Sequence, residues 1–230
     1  MSEEIQSQTM YWNAQANAFQ SIYSHQKPGV ANFLDRVFRK DMYERFAFTI
    51  DHSAPIEGRT FLDVGCGSGL YSIEFAKKGA AQVIGIDIAE NMLQLCSDSA
   101  TQAGVGERCR FIHTDLLEFN PNATFDVSIG IGLFDYIRDP MPVLKKMRRV
   151  TKDRVIVSFP RFWTWRAPIR KVRLTLQNCA VYFYTARRVA ALMKDAGFAR
   201  HTIVQVGKLH CVVGFSSESV VGGKWNTIAC

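Results

Sequence analysis

Leu62-Asp63-Val64-Gly65-Cys66-Gly67-Ser68-Gly69 decides how this chain folds. An apolar run, Thr60-Phe61-Leu62, feeds it, and Leu70, Ile73, Phe75 and Ala76 leave it at helical spacing. A strand that breaks into three glycines and then a helix is a turn suited to a nucleotide. Glycines at 65, 67 and 69 remove Cβ atoms from the path of a ligand and permit positive φ. The spacing is G-x-G-x-G, not the G-x-G-x-x-G of pyrophosphate-binding dehydrogenases.

Working outward, a second apolar strand, Val83 to Ile86, ends in Asp87, where a carboxylate can accept both hydroxyls of a ribose. A third, Arg110 to Thr114, ends in Asp115-Leu116, within reach of an adenine amino group. A fourth, Phe125 to Gly132, ends at the next crevice position. Ligands of open α/β sheets sit at these carboxyl ends.

The ordered set Leu62–Gly69, Gly85-Ile86-Asp87, Thr114-Asp115-Leu116 and Phe125–Ile137 resembles the class I S-adenosylmethionine-dependent methyltransferases, most closely over residues 60–159. The resemblance implies an α/β, Rossmann-like, doubly wound sheet of seven strands. That sheet is mostly parallel, with an antiparallel C-terminal hairpin strand and helices on both faces. It implies S-adenosylmethionine as cofactor; no Cys/His metal spacing is present in the sequence, so no metal is expected. Asp63 would help hold the methionyl ammonium. Gly65, Cys66, Gly67 and Gly69 would pass their backbone beside the methionyl and ribose portion. Asp87 would take the ribose hydroxyls, Ile88 and Met92 would cover the adenine, and Asp115 and Leu116 would border it. Gly130 and Ile131 would offer backbone contacts near the amino acid portion.

The acceptor side is less determined. Past the fourth strand stands Leu133-Phe134-Asp135-Tyr136-Ile137. The Asn/Asp-Pro-Pro-aromatic clamp of base N-methyltransferases is missing here, which ranks nucleic acid below a small acceptor. Asp135 and Tyr136 are candidate catalytic residues, with Asp135 either a base or part of a helix-entry turn. Tyr11 to Tyr23 reads as an amphipathic helix through Trp12, Ala16, Phe19 and Tyr23. In the resembled family such a helix closes over the cofactor, which makes Tyr23 and His25 candidates too. The expected function is methyl transfer to a small acceptor, anionic or lipid-like, by aligned in-line displacement. RNA methylation, dinucleotide-dependent oxidoreduction and a noncatalytic member that binds a partner are the competing readings.

The chain of 230 residues is 47% hydrophobic, enough for one full core. The expected layout has an N-terminal helical cap (1–58), a cofactor-binding core (59–160), an inserted basic segment (161–184), a helix with a hairpin (185–216) and a tail (217–230). The polar first residues predict no secretory leader. The six cysteines show no metal spacing and read as free thiols of a reducing cytoplasm. Net charge is +7, unevenly spread: residues 145–173 carry eleven basic side chains and one acid, so the rest is slightly negative. Such asymmetry predicts an anionic partner. Phe162, Trp165, Ile169, Val172 and Leu176 form one helical stripe among arginines. It is read either as a helix over the sheet edge or as a lid that meets an anionic substrate or membrane. Oligomeric state is not readable.

Overall fold

The computed structural model describes residues 5–14, 32–162, 181–198 and 200–216, with the backbone alone for 32–39. Tyr23, His25 and most of the inserted segment lie outside these residues. Seven strands form one sheet in the order β3-β2-β1-β4-β5-β7-β6. They are β1 (Thr60–Val64), β2 (Gln82–Asp87), β3 (Cys109–His113), β4 (Phe125–Gly130), β5 (Thr151–Pro160), β6 (Arg200–Val206) and β7 (Leu209–Phe215). The first five are parallel, and β7 enters antiparallel between β5 and β6. The strand order reverses between β1 and β4, so the crevice opens at the carboxyl ends of these two strands.

Strand alternation fills two layers. Leu62, Val64, Val155, Val157 and Val212 face the cluster that holds α5 (Pro140–Arg149) and α6 (Ala186–Asp195). Phe61, Ile129, Ile156 and Val213 face the opposite cluster, with α2 (Asn32–Ser53) and α3 (Leu70–Lys77). A period of two along strands buried on both faces is what places helices on both sides. α4 (Glu90–Gln102) packs against β2 and β3.

The expected hairpin and parallel core are present, and Gly79, Gly104 and Gly197 turn the chain at positive φ after three of the helices. Thr185 caps α6 by accepting the Arg188 amide at 3.2 Å. Three boundaries differ. β4 stops at Gly130, because Gly132 takes a φ of 80° and turns the chain out of the sheet. The apolar, β-branched run Arg154 to Phe159 predicts a strand from Arg154; β5 starts three residues earlier, at Thr151, because Thr151 pairs with Phe125 across a bulge. The first helix, α1, already occupies residues 5–14 instead of starting at Tyr11. Its i, i+3, i+7 side chains Ile5, Gln8 and Trp12 all line one cavity, a pattern hidden in a stretch that reads as polar.

Arg161 bridges Tyr184, and the Phe162 amide donates to the Tyr184 carbonyl at 3.0 Å. The two ends of the inserted segment are thus held side by side at the end of β5.

Candidate active site

A cavity of about 570 Å³ lies over the carboxyl ends of the parallel strands, within the size range of ligand sites. Its first half is built from backbone. The amides of Gly65 and Cys66 both donate to the Ile86 carbonyl, at 2.8 and 3.1 Å, which ties the glycine turn to β2. Gly65, Gly67 and Gly69 have φ of 69°, 54° and 75°, a region costly for other residues. A Cβ on Gly69 would meet the Cys96 sulfur at 3.1 Å, and one on Gly65 would meet Leu133 at 3.2 Å. The glycines therefore answer to the packing of α4 and of the loop after β4 as well as to the cavity.

Asp87 is the hinge of this half. One carboxylate oxygen accepts the Gly67 amide and the other the Ala89 amide, each at 2.9 Å. Two of its roughly four lone-pair sites are thereby used and the others are left for a ligand. Burial raises its pKa, opposed by the amides of Ala89 and Gly67. Ile88, Met92, Asp115 and Leu116 complete the wall, with Asp115 braced by the Leu117 amide at 2.7 Å. His113 is exposed and sits 3.0 Å from the Ile88 carbonyl, a rim position.

Four of the expected cofactor residues lie behind this wall and not on it. Asp63 is 2% exposed and accepts the Ser72 hydroxyl at 2.7 Å. Burial lifts its carboxyl from 3.8 to about 7, with the Ser72 hydrogen bond opposing and the Asp87 charge adding. Cys66 is buried with its sulfur 3.9 Å from Cys96, a contact that, with burial, pushes its thiol well up. The Cys96 thiol in turn donates to the Gly67 carbonyl at 2.9 Å. Gly69 caps α3, and Gly130 lies where a Cβ would touch Met147 at 3.3 Å.

The second half is built from side chains of distant segments. Ile131, Asp135 and Tyr136 line it, all after β4. Asp135 is 5% exposed, and its main-chain carbonyl accepts the Tyr182 amide at 2.8 Å. The Tyr184 hydroxyl donates to the Ile137 carbonyl at 3.2 Å; burial, then the Asp135 charge, raises its pKa to about 12. α1 crosses above. Trp12 meets the Tyr136 ring edge-on at 5.2 Å, and the Gln8 amide donates to the Tyr136 carbonyl at 2.6 Å. Asn13 bonds Asn91 at the start of α4, and Trp12 packs on Met92. One short helix thus spans from the Tyr136 side to the Asp87 side.

Arg45 and Met42 of α2, Gln8 and Trp12 of α1, and Arg138 also line the cavity but escaped the sequence reading as site residues. Trp12 carried a signal as part of the aromatic stripe; Arg45 carried none, since it is one of several cations on a long helix.

The methyltransferase domain family matches residues 56–208, and the chain belongs to it. With the seven-stranded order above, this places the chain in the class I S-adenosylmethionine-dependent superfamily. It is 35% identical over 104 residues to the ubiquinone biosynthesis O-methyltransferase of Paracidovorax citrulli, covering 45% of this chain and 43% of that one. It is 31% identical over 127 residues to the tRNA U34 carboxymethyltransferase of Haemophilus influenzae, covering 48% and 39%. The matches thus span less than half the length of these curated relatives. Among solved structures, magnesium protoporphyrin IX methyltransferase of Synechocystis PCC 6803 with bound SAH superposes with a TM-score of 0.75 at 20% identity, covering 94% of this chain and 100% of that one. That likeness is one of fold.

Proposed function

We propose that the chain binds S-adenosylmethionine in the glycine-turn half of the cavity and transfers its methyl group to a small acceptor in the half beneath α1. The observation that carries this is Asp87, fixed by the Gly67 and Ala89 amides at the lip of the turn with acceptor capacity to spare for a ribose diol. The residues fit the cofactor. Gly65 and Gly67 leave the turn open to the methionyl and ribose portion. Ile88, Met92 and Leu116 offer an apolar slot for adenine, with Asp115 at its edge. Ile131 supplies backbone on the other side. Asp63, Cys66, Gly69 and Gly130 act from behind by holding the turn and strand ends in place.

When bound, the cofactor supplies an activated methyl on a sulfonium, so the protein's task is alignment and exclusion of water. Trp12, Tyr136 and Gln8 close the roof over the acceptor half. Asp135 is placed to take a proton from a hydroxyl or orient an amine; a carboxylate acceptor would need no base. The ubiquinone-pathway relative, an O-methyltransferase by name, supports oxygen as the acceptor atom.

Calorimetric titration with S-adenosylhomocysteine and with NAD, followed by a methyl-transfer screen of phenols, carboxylates and amines, tests the proposal. Tight S-adenosylhomocysteine binding with transfer to a small molecule is expected. Binding of NAD instead would overturn it, and transfer to none of the small acceptors would remove the acceptor assignment.

A further inference from the structure

Among the described residues, exposed basic side chains gather on two helices outside the cavity. α5 reads Pro-Met-Pro-Val-Leu-Lys-Lys-Met-Arg-Arg and holds no acid; α6 reads Ala-Arg-Arg-Val-Ala-Ala-Leu-Met-Lys-Asp and holds Asp195 alone. Both helices turn their apolar sides, Val143, Leu144 and Met147 with Val189, Leu192 and Met193, into one core cluster on one face of the sheet. Their outer sides then expose Lys145, Arg148, Arg149, Arg187, Arg188 and Lys194. None of these six has an ion-pair partner among the described residues.

Contacts at both ends fix how the helices lie. The Tyr184 hydroxyl on the Ile137 carbonyl brings their N-terminal ends together, and the Arg148 guanidinium lies beside Gly197, just past the end of α6. They run side by side in the same direction. The N-terminal end of α5 lies at the cavity mouth, where Arg138, Asp139, Pro142 and Val143 line the cavity, and the Tyr184 contact holds the start of α6 beside it.

We propose that the outer side of α5 and α6 binds the phosphodiester backbone of a nucleic-acid strand, laid along the two helices toward the cavity mouth. Lys145 and Arg149 stand four residues apart on one helix, where like charges repel. A polyanion relieves that repulsion and gains entropy from released counterions. Lys145, Arg149, Arg187 and Lys194, spread along two helices of ten residues, would meet about four phosphates, one for each cation. A membrane surface suits this face less. Stable peripheral anchoring needs an apolar insertion beside the charge, and the exposed large apolar side chains among the described residues, Met10, Tyr43, Leu117 and Phe162, are on neither helix. The missing base clamp after β4 concerns how a base would be held in the cavity; it does not bear on a backbone contact outside it. The proposal is independent of which acceptor the cavity takes.

The test uses the full chain and a fluorescein-labelled 12-nucleotide single-stranded RNA of mixed sequence, read by anisotropy across a salt series. Binding should weaken with a slope of log affinity on log salt of about −3, from about four neutralised phosphates. Reversing Lys145, Arg149, Arg187 and Lys194 to Glu should lower affinity at least tenfold and flatten that slope, with S-adenosylhomocysteine affinity unchanged. Arg148 is left in place because it packs on Gly197. If the reversed chain does not fold, the Gln versions of the same four positions should still lose several-fold. Absence of RNA binding, or binding that ignores these changes, overturns the proposal and leaves a solvated face. Charge-dependent binding to phosphatidylserine vesicles without RNA binding overturns it in favour of a membrane.

Discussion

The two halves of the cavity are built by different means. The Asp87 half is a backbone device: the glycine turn, the Ile86 carbonyl and the Gly67 and Ala89 amides hold one another within hydrogen-bonding distance. The Tyr136 half is a side-chain device assembled from α1, α2 and the loop after β4, with Trp12, Gln8, Arg45 and Asp135 brought from far apart in the chain. Backbone geometry tolerates little substitution, whereas packed side chains can be exchanged singly. A common cofactor suits the first construction and a varied acceptor the second.

The sharpest way to break this contrast is Asp87→Ala. The variant loses a ligand acceptor and strands the Gly67 and Ala89 amides. S-adenosylhomocysteine affinity should fall about a hundredfold, in line with hydrogen bonds to a charged group. An unchanged calorimetric Kd would show that the turn, not the carboxylate, carries binding.

Asp63 probes the layer beneath the turn. Its carboxyl is lifted from 3.8 to about 7 by burial. The folded state therefore keeps a proton that the unfolded chain releases, and stability falls as pH rises between those values and levels off above them. Asp87 acts in the same direction. Asp63→Asn should make the slope shallower and leave the variant about 2 kcal/mol more stable than the parent at pH 8. Urea melts across pH 4 to 8 check this, and a parallel pH profile would refute it.

Gly69→Ala places a Cβ at φ 75° and 3.1 Å from the Cys96 sulfur. Unfolding free energy should drop by about 1–2 kcal/mol. A neutral result in denaturant melts would mean that the turn yields more readily than its hydrogen bonds suggest.

The smallest effect belongs to the other half. Trp12→Ala removes the edge contact with Tyr136 and the cover on Met92. Global stability should change by about 1 kcal/mol or less, while amides of residues 5–14 exchange much faster as α1 lifts. Equal exchange in both proteins would show that α1 is held by its polar contacts to Tyr136 and Asn91 alone.

Much of the glycine-turn half is legible in the sequence. G-x-G-x-G after an apolar strand, and an acid at the end of the next strand, are local signals with local causes: positive φ, short turns and the edge of a parallel sheet. β1 and β2 fall where the pattern puts them. Behind the wall the reading was coarser, since burial of Asp63 against Ser72 depends on how α3 leans on β1.

The sequence by itself determined the alternating layers, the glycine turn, Asp87 and the basic bias of the second half of the chain, because periodicity, φ preference and charge are properties of residues in order. Tertiary structure alone decided that α1 begins early enough for Gln8 to reach Tyr136, that Arg45 faces the cavity, and that α5 and α6 share one cationic side. Those facts arise from helices packing across a sheet. Residues from remote segments meet there only once the core has fixed each helix's rotation and direction.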